Sequence, residues 1–269
     1  MILGIDIGGS STKIIGMDGG SINAPLFVRA TDPVASLFGA FGKFVDTNGL
    51  ELSQLHKIMI TGVGASYITK PIYGIPTQRI DEFQAVGAGG LALSGLNEAI
   101  VVSMGTGTAI IRASKGEYAH LGGTGIGGGT IIGLAGSMLG VRQIETIIEM
   151  AERGNLRNID LAVGDISKHT LPGLTPTTTA SNFGKVSETA SPDDIAVGIL
   201  NMVFQSIGLT ARFAMLGCGL KDVVLTGNLS TLKTCRRIFK TFSELFGTNI
   251  LIPQYSEFAT ALGAALSGE

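Results

Sequence analysis

Tryptophan is absent from this chain of 269 residues, and tyrosine occurs only four times. So few flat side chains make a poor platform for stacking nucleobases. Charge is scarce too. Asp, Glu, Lys and Arg make up 15% of the residues, and 19 basic against 21 acidic side chains leave a net charge of −2. That balance argues against nucleic-acid binding by phosphate neutralisation. A hydrophobic share of 45% argues equally against a disordered chain. The two cysteines, Cys218 and Cys235, match no zinc or redox spacing, which fits a reduced, cytoplasmic setting. His56, His120 and His169 form no metal-ligand pattern. Mean hydropathy is high, at +0.40. No unbroken run of ~18 apolar residues occurs, however, so no membrane span is expected. The opening MILGIDIGG has no basic stretch and no cleavage pattern, and is not expected to act as a secretory leader.

Glycine is abundant instead, with 40 residues, about twice the usual share. The glycines fall in short strings between apolar runs, as in loops that need unusual backbone angles or close approach to a ligand. Residues 2–7 and 12–17 read as two strands joined by the Gly8–Ser11 turn. Asp32-Pro33 opens a helix with an apolar stripe through Leu37, Phe41 and Phe44. Strands are expected at 57–61 and just after Pro76, then a helix over 82–95 capped by Asp81. Residues 99–103 and 109–113 repeat the opening plan of strand, Gly-rich turn and strand, which suggests two related halves. Helices follow at 131–139 and 142–153. The stretch 166–190, with Pro172, Pro176 and a threonine run, reads as irregular. Ser191, Pro192 and Asp194 start the clearest helix, which Gly217 stops. A strand over 222–226 and a small-residue helix over 257–266 complete an α/β pattern. In such folds ligands gather at the carboxyl ends of strands, where four of the glycine turns lie.

The turn Asp6-Ile7-Gly8-Gly9-Ser10-Ser11-Thr12-Lys13 has the makings of a phosphate site. Its glycines let N–H groups approach an anion, its hydroxyls can donate, Lys13 adds charge, and Asp6 can hold a magnesium ion through water. An ordinary hairpin fits the same residues equally well. Gly105–Thr108 repeats the logic, and the two together favour phosphate. Gly122–Thr130 holds six glycines and enters a helix, whose N-terminus attracts anions. No glycine run carries the Lys-Ser/Thr ending of a P-loop. Glu82 lies in the first turn of its helix, where the dipole alone favours an acid, and spacing supports nothing more. A simple turn is the plainer reading of Thr226–Asn228, and a surface position that of His120.

Taken in order, Asp6–Lys13, Gly105–Thr108, Gly122–Thr130 and Thr226–Asn228 resemble the ATPase domain of the acetate and sugar kinase/Hsp70/actin superfamily. More closely, the chain resembles type II pantothenate kinases. Glu82-Phe83, Asn158–Leu161 with Gly164–Ile166, and Ala180–Gly184 extend that likeness. The resemblance implies two actin-like (ribonuclease H-like) halves around an ATP cleft: residues 1–96 with 257–269, and 97–256. It implies ATP- and Mg²⁺-dependent phosphorylation of pantothenate to 4'-phosphopantothenate, the first step of coenzyme A synthesis, by a homodimer. Asp6, Ile7, Gly8, Gly9, Ser10, Ser11, Thr12, Lys13 and Thr106 would face the phosphates. Gly128, Gly129, Thr130, Ile131, Ile132 and Asn228 would line the nucleotide cleft. Glu82 would be the general base, against the reading from spacing alone. The family commonly has arginine where this chain has His120, on the side that meets the substrate. The alternatives are another small-molecule kinase of the superfamily, acting on an N-acetylated amino sugar, and a nucleotide-driven activator. The latter usually carries an iron–sulfur cluster on closely placed cysteines, which Cys218 and Cys235 do not supply.

Overall fold

A computed structural model describes residues 1–29, 32–169 and 173–269. Pro172, expected in an irregular stretch, lies outside the described residues. In chain order the elements are β1 (Ile2–Ile7), β2 (Ser11–Asp18), β3 (Ser21–Arg29), α1 (Pro33–Thr47), β4 (Lys57–Thr61), β5 (Thr77–Arg79) and α2 (Glu82–Ser94). Next come β6 (Glu98–Met104), β7 (Thr108–Ser114), β8 (Glu117–Thr124), α3 (Gly128–Leu139) and α4 (Ile144–Arg153). The last part holds β9 (Leu161–Ala162), α5 (Val163–Ile166), β10 (Thr179–Ser181), α6 (Pro192–Gly217), β11 (Asp222–Thr226), α7 (Lys233–Phe246), β12 (Asn249–Leu251) and α8 (Ala259–Leu266).

Two five-stranded mixed sheets organise the chain, in the orders β3-β2-β1-β4-β5 and β12-β11-β6-β7-β8. Read from opposite ends the orders are the same. Each sheet has an antiparallel trio followed by two parallel strands. The repeat in the sequence is therefore a repeat of whole sheets. It extends to the strand ends: β4 and β11 both end in Thr-Gly, with Gly62 and Gly227 at φ 86° before a 3-10 turn. That backbone angle favours glycine.

Each sheet has its own core. Leu3, Ile5, Ile7, Phe41 and Phe44 fill the first, and Phe204, Ile199, Val203, Ile131 and Phe239 are among those filling the second. The helix α6, capped by Ser191 and Asp194, is the spine of the second core and packs on α3, α4 and α7. By length and composition α6 could cross a membrane, but 67% of its most apolar stretch is buried inside the fold. Between the sheets, α2 lies against α8. A Cβ on Gly89 would strike the Ala259 carbonyl, and one on Gly263 the Ala85 carbonyl, so bare glycines set how closely the helices approach.

Besides the short β9, α5 and β10, three strands and a helix go beyond the sequence expectation. The edge strand β3 is one, interrupted at Ala24-Pro25 where its register shifts. The edge strand β8 takes in Gly122–Thr124, part of the glycine string read as a loop. Helix α7 and the short β12 complete the set, and α3 begins three residues early, at Gly128. Within 166–190, a stretch expected to be irregular, the short β10 pairs antiparallel with β9, which lies just before it at Leu161–Ala162.

Candidate active site

A cleft of about 930 Å³ opens between the two sheets. Ser10, Ser11, Phe27 and Arg29 line it from the first, and Gly105, Thr106, Gly128, Gly129, Ile132 and Asn228 from the second. The two hairpin turns thus face each other across one space, as their glycine strings suggest. Arg29 of β3 and Glu145 of α4 both line the cleft and bond to each other across it. That hydrogen bond holds the Glu145 carboxyl below its ordinary range.

The donors available to an anion differ from expectation. The N–H groups of Gly128 and Gly129, in the first turn of α3, are spent on the Gly105 and Thr106 carbonyls, each at 2.9 Å. The helix start therefore locks the two glycine segments together rather than standing open. Among the described residues, the N–H groups of Gly9, Ser10, Thr106 and Gly107 have no partner. They lie at the tips of the two hairpins, free for an anion.

Strand parity sorts the rest, because alternate residues face opposite sides of a sheet. Thr12 turns away from the cleft, and its hydroxyl bonds Ser36 of α1 at 2.6 Å. Ile7 and Ile131 are buried in the first and second cores, and Thr130 caps its own turn by bonding Gly127 and Gly125. Of Ile7, Thr12, Thr130 and Ile131, expected at the phosphates or along the nucleotide cleft, the side chains are thus engaged within the fold. Gly8 closes its turn through an N–H bond to Ser11.

Lys13 faces the same side as Ser11. It pairs in register with Asp6 on β1 and reaches its carboxylate at 3.3 Å, with both side chains 9% exposed. Buried charge needs such a partner. A Cβ on Gly62 would stand 2.7 Å from Asp6 Oδ1, so the bare turn after β4 leaves room for that carboxylate. Among the described residues, the buried side-chain oxygens without a partner are Thr248 Oγ1, away from the cleft, and two at the site: Thr61 Oγ1, beside Asp6 in register, and Asn228 Oδ1 in the cleft. Unpaired buried oxygens are unusual in folded proteins, and a bound water, ion or ligand is one way such an atom is satisfied.

Glu82 opens α2. Asp81, not Glu82, caps that helix, accepting the N–H groups of Phe83 and Gln84 at 3.0 Å each. Burial pushes the Glu82 carboxyl above its ordinary value. The negative charges of Asp6 and then Asp81 push the same way, and Lys13 opposes them. Glu82 is thus within electrostatic reach of the Asp6–Lys13 pair. The next residue, Phe83, stacks on His120, with ring centroids 3.8 Å apart and planes 2° from parallel. His120 is at the surface, as its plainer reading has it, and sits on β8, where the ladder shifts register at Ile110/Ile111. Tyr118, two residues back, lies over Gly87, so β8 presses on the face of α2 that carries Phe83.

The donor set suits a loosely held magnesium ion. Among the described residues no group of three or more His, Cys, Asp or Glu could cage a metal. A hard ion that keeps most of its waters needs only one or two carboxylates beside phosphate oxygens. Asp6 is the residue that would hold it, through water.

The Fumble family model matches residues 94–267. Pantothenate kinase 1 of Oryza sativa subsp. japonica is 36% identical over 136 residues, covering 48% of this chain and 20% of that protein. A type II pantothenate kinase of Bacillus cereus is 30% identical over 176 residues, covering 64% of each. The matched stretches thus span less than two thirds of those relatives. In fold, the chain is similar to component A of the (R)-2-hydroxyglutaryl-CoA dehydratase of Acidaminococcus fermentans, with a TM-score of 0.70 at 19% identity over 99% of this chain and 96% of that one. The duplicated sheets and facing glycine turns are those of the actin-like bilobed fold, and with well over half its length matched the chain belongs to the Fumble family, as a type II pantothenate-kinase-like member.

Proposed function

We propose that the cleft binds Mg·ATP and that the protein transfers the γ-phosphoryl group to a hydroxyl of a small acceptor, namely pantothenate. The halves would be residues 1–96 with 257–269, and 97–256. The observation that carries the reading is the environment of Glu82. It is a carboxyl raised by burial, clear of capping duty, beside a buried Asp–Lys pair. Phosphoryl transfer calls mainly for positioning and neutralisation of charge, with a base to take the acceptor's proton. A base works best when its pKa lies closer to the working pH than an ordinary carboxyl does.

In this mechanism the free N–H groups of the Gly9–Ser10 and Thr106–Gly107 turns bind phosphate oxygens from opposite sides, and Asn228 orients the nucleotide. Asp6 would hold a magnesium ion through water, and that ion would supply neutralisation of phosphate charge. Lys13, 3.3 Å from the Asp6 carboxylate, holds that side chain in place. Glu82 accepts the hydroxyl proton of the acceptor as the new phosphorus–oxygen bond forms. His120, stacked on Phe83, flanks the acceptor side.

Kinship with the pantothenate kinases supports pantothenate as the acceptor. The fold likeness to a dehydratase component raises the activator reading, but the cysteines do not support it. Cys235 is in the core with its thiol pushed up to about 12, and Cys218 sits at the end of α6. The deciding assay follows ADP release with pantothenate, with N-acetylglucosamine and with neither. Release that requires pantothenate is the expected result. Release with the sugar alone would overturn the acceptor, and release independent of both would overturn the kinase reading.

A further inference from the structure

The phosphate end of the cleft is only part of it. Along α3 one face carries Gly128, Ile132 and Gly136, at successive four-residue steps. From Gly128 to Gly136 this face runs ~12 Å, at ~1.5 Å per residue. Gly128 and Ile132 of this face line the cleft, which leaves room for the sugar and base of a nucleotide whose phosphates sit at the hairpin turns. At the far end α3 stops at Gly140, and α4 leaves at 71° to it. Arg142 projects from that elbow into the cleft.

Two features set Arg142 apart. Its side chain lies across the bare Cα of Gly136: Cγ is 3.1 Å, and Nε and Cζ are each 3.2 Å, from the place a Cβ would occupy. Three atoms at one height mean the arm lies along the helix surface, with its other side open to the cleft. Further, Arg142 has no ion-pair or hydrogen-bond partner among the described residues. The other arginine of the cleft, Arg29, is committed to Glu145. A flat, unpaired cation held against a helix suits an aromatic ring.

We propose that Arg142, seated on Gly136, is the stacking platform for the base of the bound nucleotide. This rests on the nucleotide reading of the cleft and names the residue that recognises the base end of the ligand. Arg142 then contributes to affinity through the base and not through the phosphates. Gly136 acts with it, because any side chain there would fill the seat.

The test is calorimetric titration of ATP and of inorganic tripolyphosphate into the parent protein, Arg142→Ala, Arg142→Lys and Gly136→Val, with a melting curve for each. Arg142→Ala should weaken ATP roughly 3- to 30-fold, the range for a cation–π contact, and leave tripolyphosphate within about twofold. Arg142→Lys, which keeps the charge but loses the plane, should recover only part of the loss. Gly136→Val should show the same selective loss as Arg142→Ala. Equal losses for ATP and tripolyphosphate would make Arg142 a phosphate ligand and overturn the platform. So would full recovery by lysine, or unchanged ATP affinity in Arg142→Ala. A parent protein that binds tripolyphosphate and ATP equally, or binds neither, would overturn the nucleotide reading of the cleft itself.

Discussion

Replacing Glu82 by Gln separates two roles that the sequence leaves entangled. As a helix-start acid, Glu82 would contribute ~0.3–1 kcal/mol to stability through the helix dipole. The structure reduces even that. Asp81 makes both capping bonds, and burial with the charges of Asp6 and Asp81 already disfavours the ionised form of Glu82. A carboxyl whose folded pKa is raised detracts from stability once pH exceeds its unfolded value, because ionising it is harder in the fold. Glu82→Gln should therefore melt within about 1 kcal/mol of the parent near neutral pH, on either side. Turnover is a separate matter. A positioned base contributes ~10²–10⁴-fold, or about 3–5 kcal/mol of barrier. The assay is ADP release at saturating ATP and acceptor, beside calorimetric ATP affinity and a melting curve. Turnover should collapse while the other two hold. The parent's rate should also fall on the acid side at a pH above that of an ordinary carboxyl, as Glu82 takes up its proton. A Glu82→Gln protein that turns over at near-parental rate would refute the assignment.

Three further outcomes follow from other parts of the fold. Asp194 accepts the N–H groups of Asn155 and Ser191 and the Asn158 amide, and is lowered to about 2; its stabilisation is complete above the unfolded value of ~3.9 and is lost as pH falls towards about 2. Asp194→Asn should melt lower at pH 7, by about 1–3 kcal/mol, and its melting temperature should depend less on pH between about 4 and 2; an unchanged dependence would count against the role. Gly263→Val drives a side chain into the Ala85 carbonyl and should cost at least ~1–3 kcal/mol by overpacking, measured by urea unfolding, with parental stability contradicting the close α2–α8 approach. His120→Ala removes the ring over Phe83 and should lower turnover without changing ATP affinity, whereas His120→Phe should restore turnover if stacking is what matters; equal loss in both would point to the imidazole nitrogens instead.

Most of the fold is legible in the sequence because its strands are apolar runs closed by glycine turns. The elements that escape are those with weak periodicity. The edge strand β3 is broken by Ala24-Pro25, and proline is tolerated in strands chiefly at such edges. Loss of β3 from the reading also hides Phe27 and Arg29 as cleft residues. In β8 the mixed polar pattern and the glycines conceal a strand, and with it the contact between His120 and Phe83. For the site, residue types pointed to turns that the fold brings to one cleft, but hydrogen bonding decided which atoms are free. Glycines at a helix start suggest open N–H groups; in the structure those of Gly128 and Gly129 are bonded to Gly105 and Thr106. Spacing alone likewise gave Glu82 no more than a dipole role, since its burial and the nearness of Asp6 depend on the way α2 crosses between the sheets.

The duplication also explains why the charge sits on one side. The strand-end threonines mark equivalent places, since Thr61 is beside Asp6 and Thr226 beside Ser103. Across the hairpins, Asp6 pairs with Lys13, whereas Ser103 pairs with Ala109. One half thus carries a buried ion pair where the other carries two small neutral residues. The hydroxyls differ in the same sense: Thr226 donates to the Val102 carbonyl at 3.2 Å, while Thr61 has no partner. Two charged pairs facing one phosphate chain would double the desolvation penalty, which runs to several kcal/mol per buried ion. Keeping one pair confines that penalty to the side where α2 brings Glu82. The neutral half is then free to press its turn against α3 through the Gly128 and Gly129 N–H bonds, building a rigid wall for the cleft opposite the charged one.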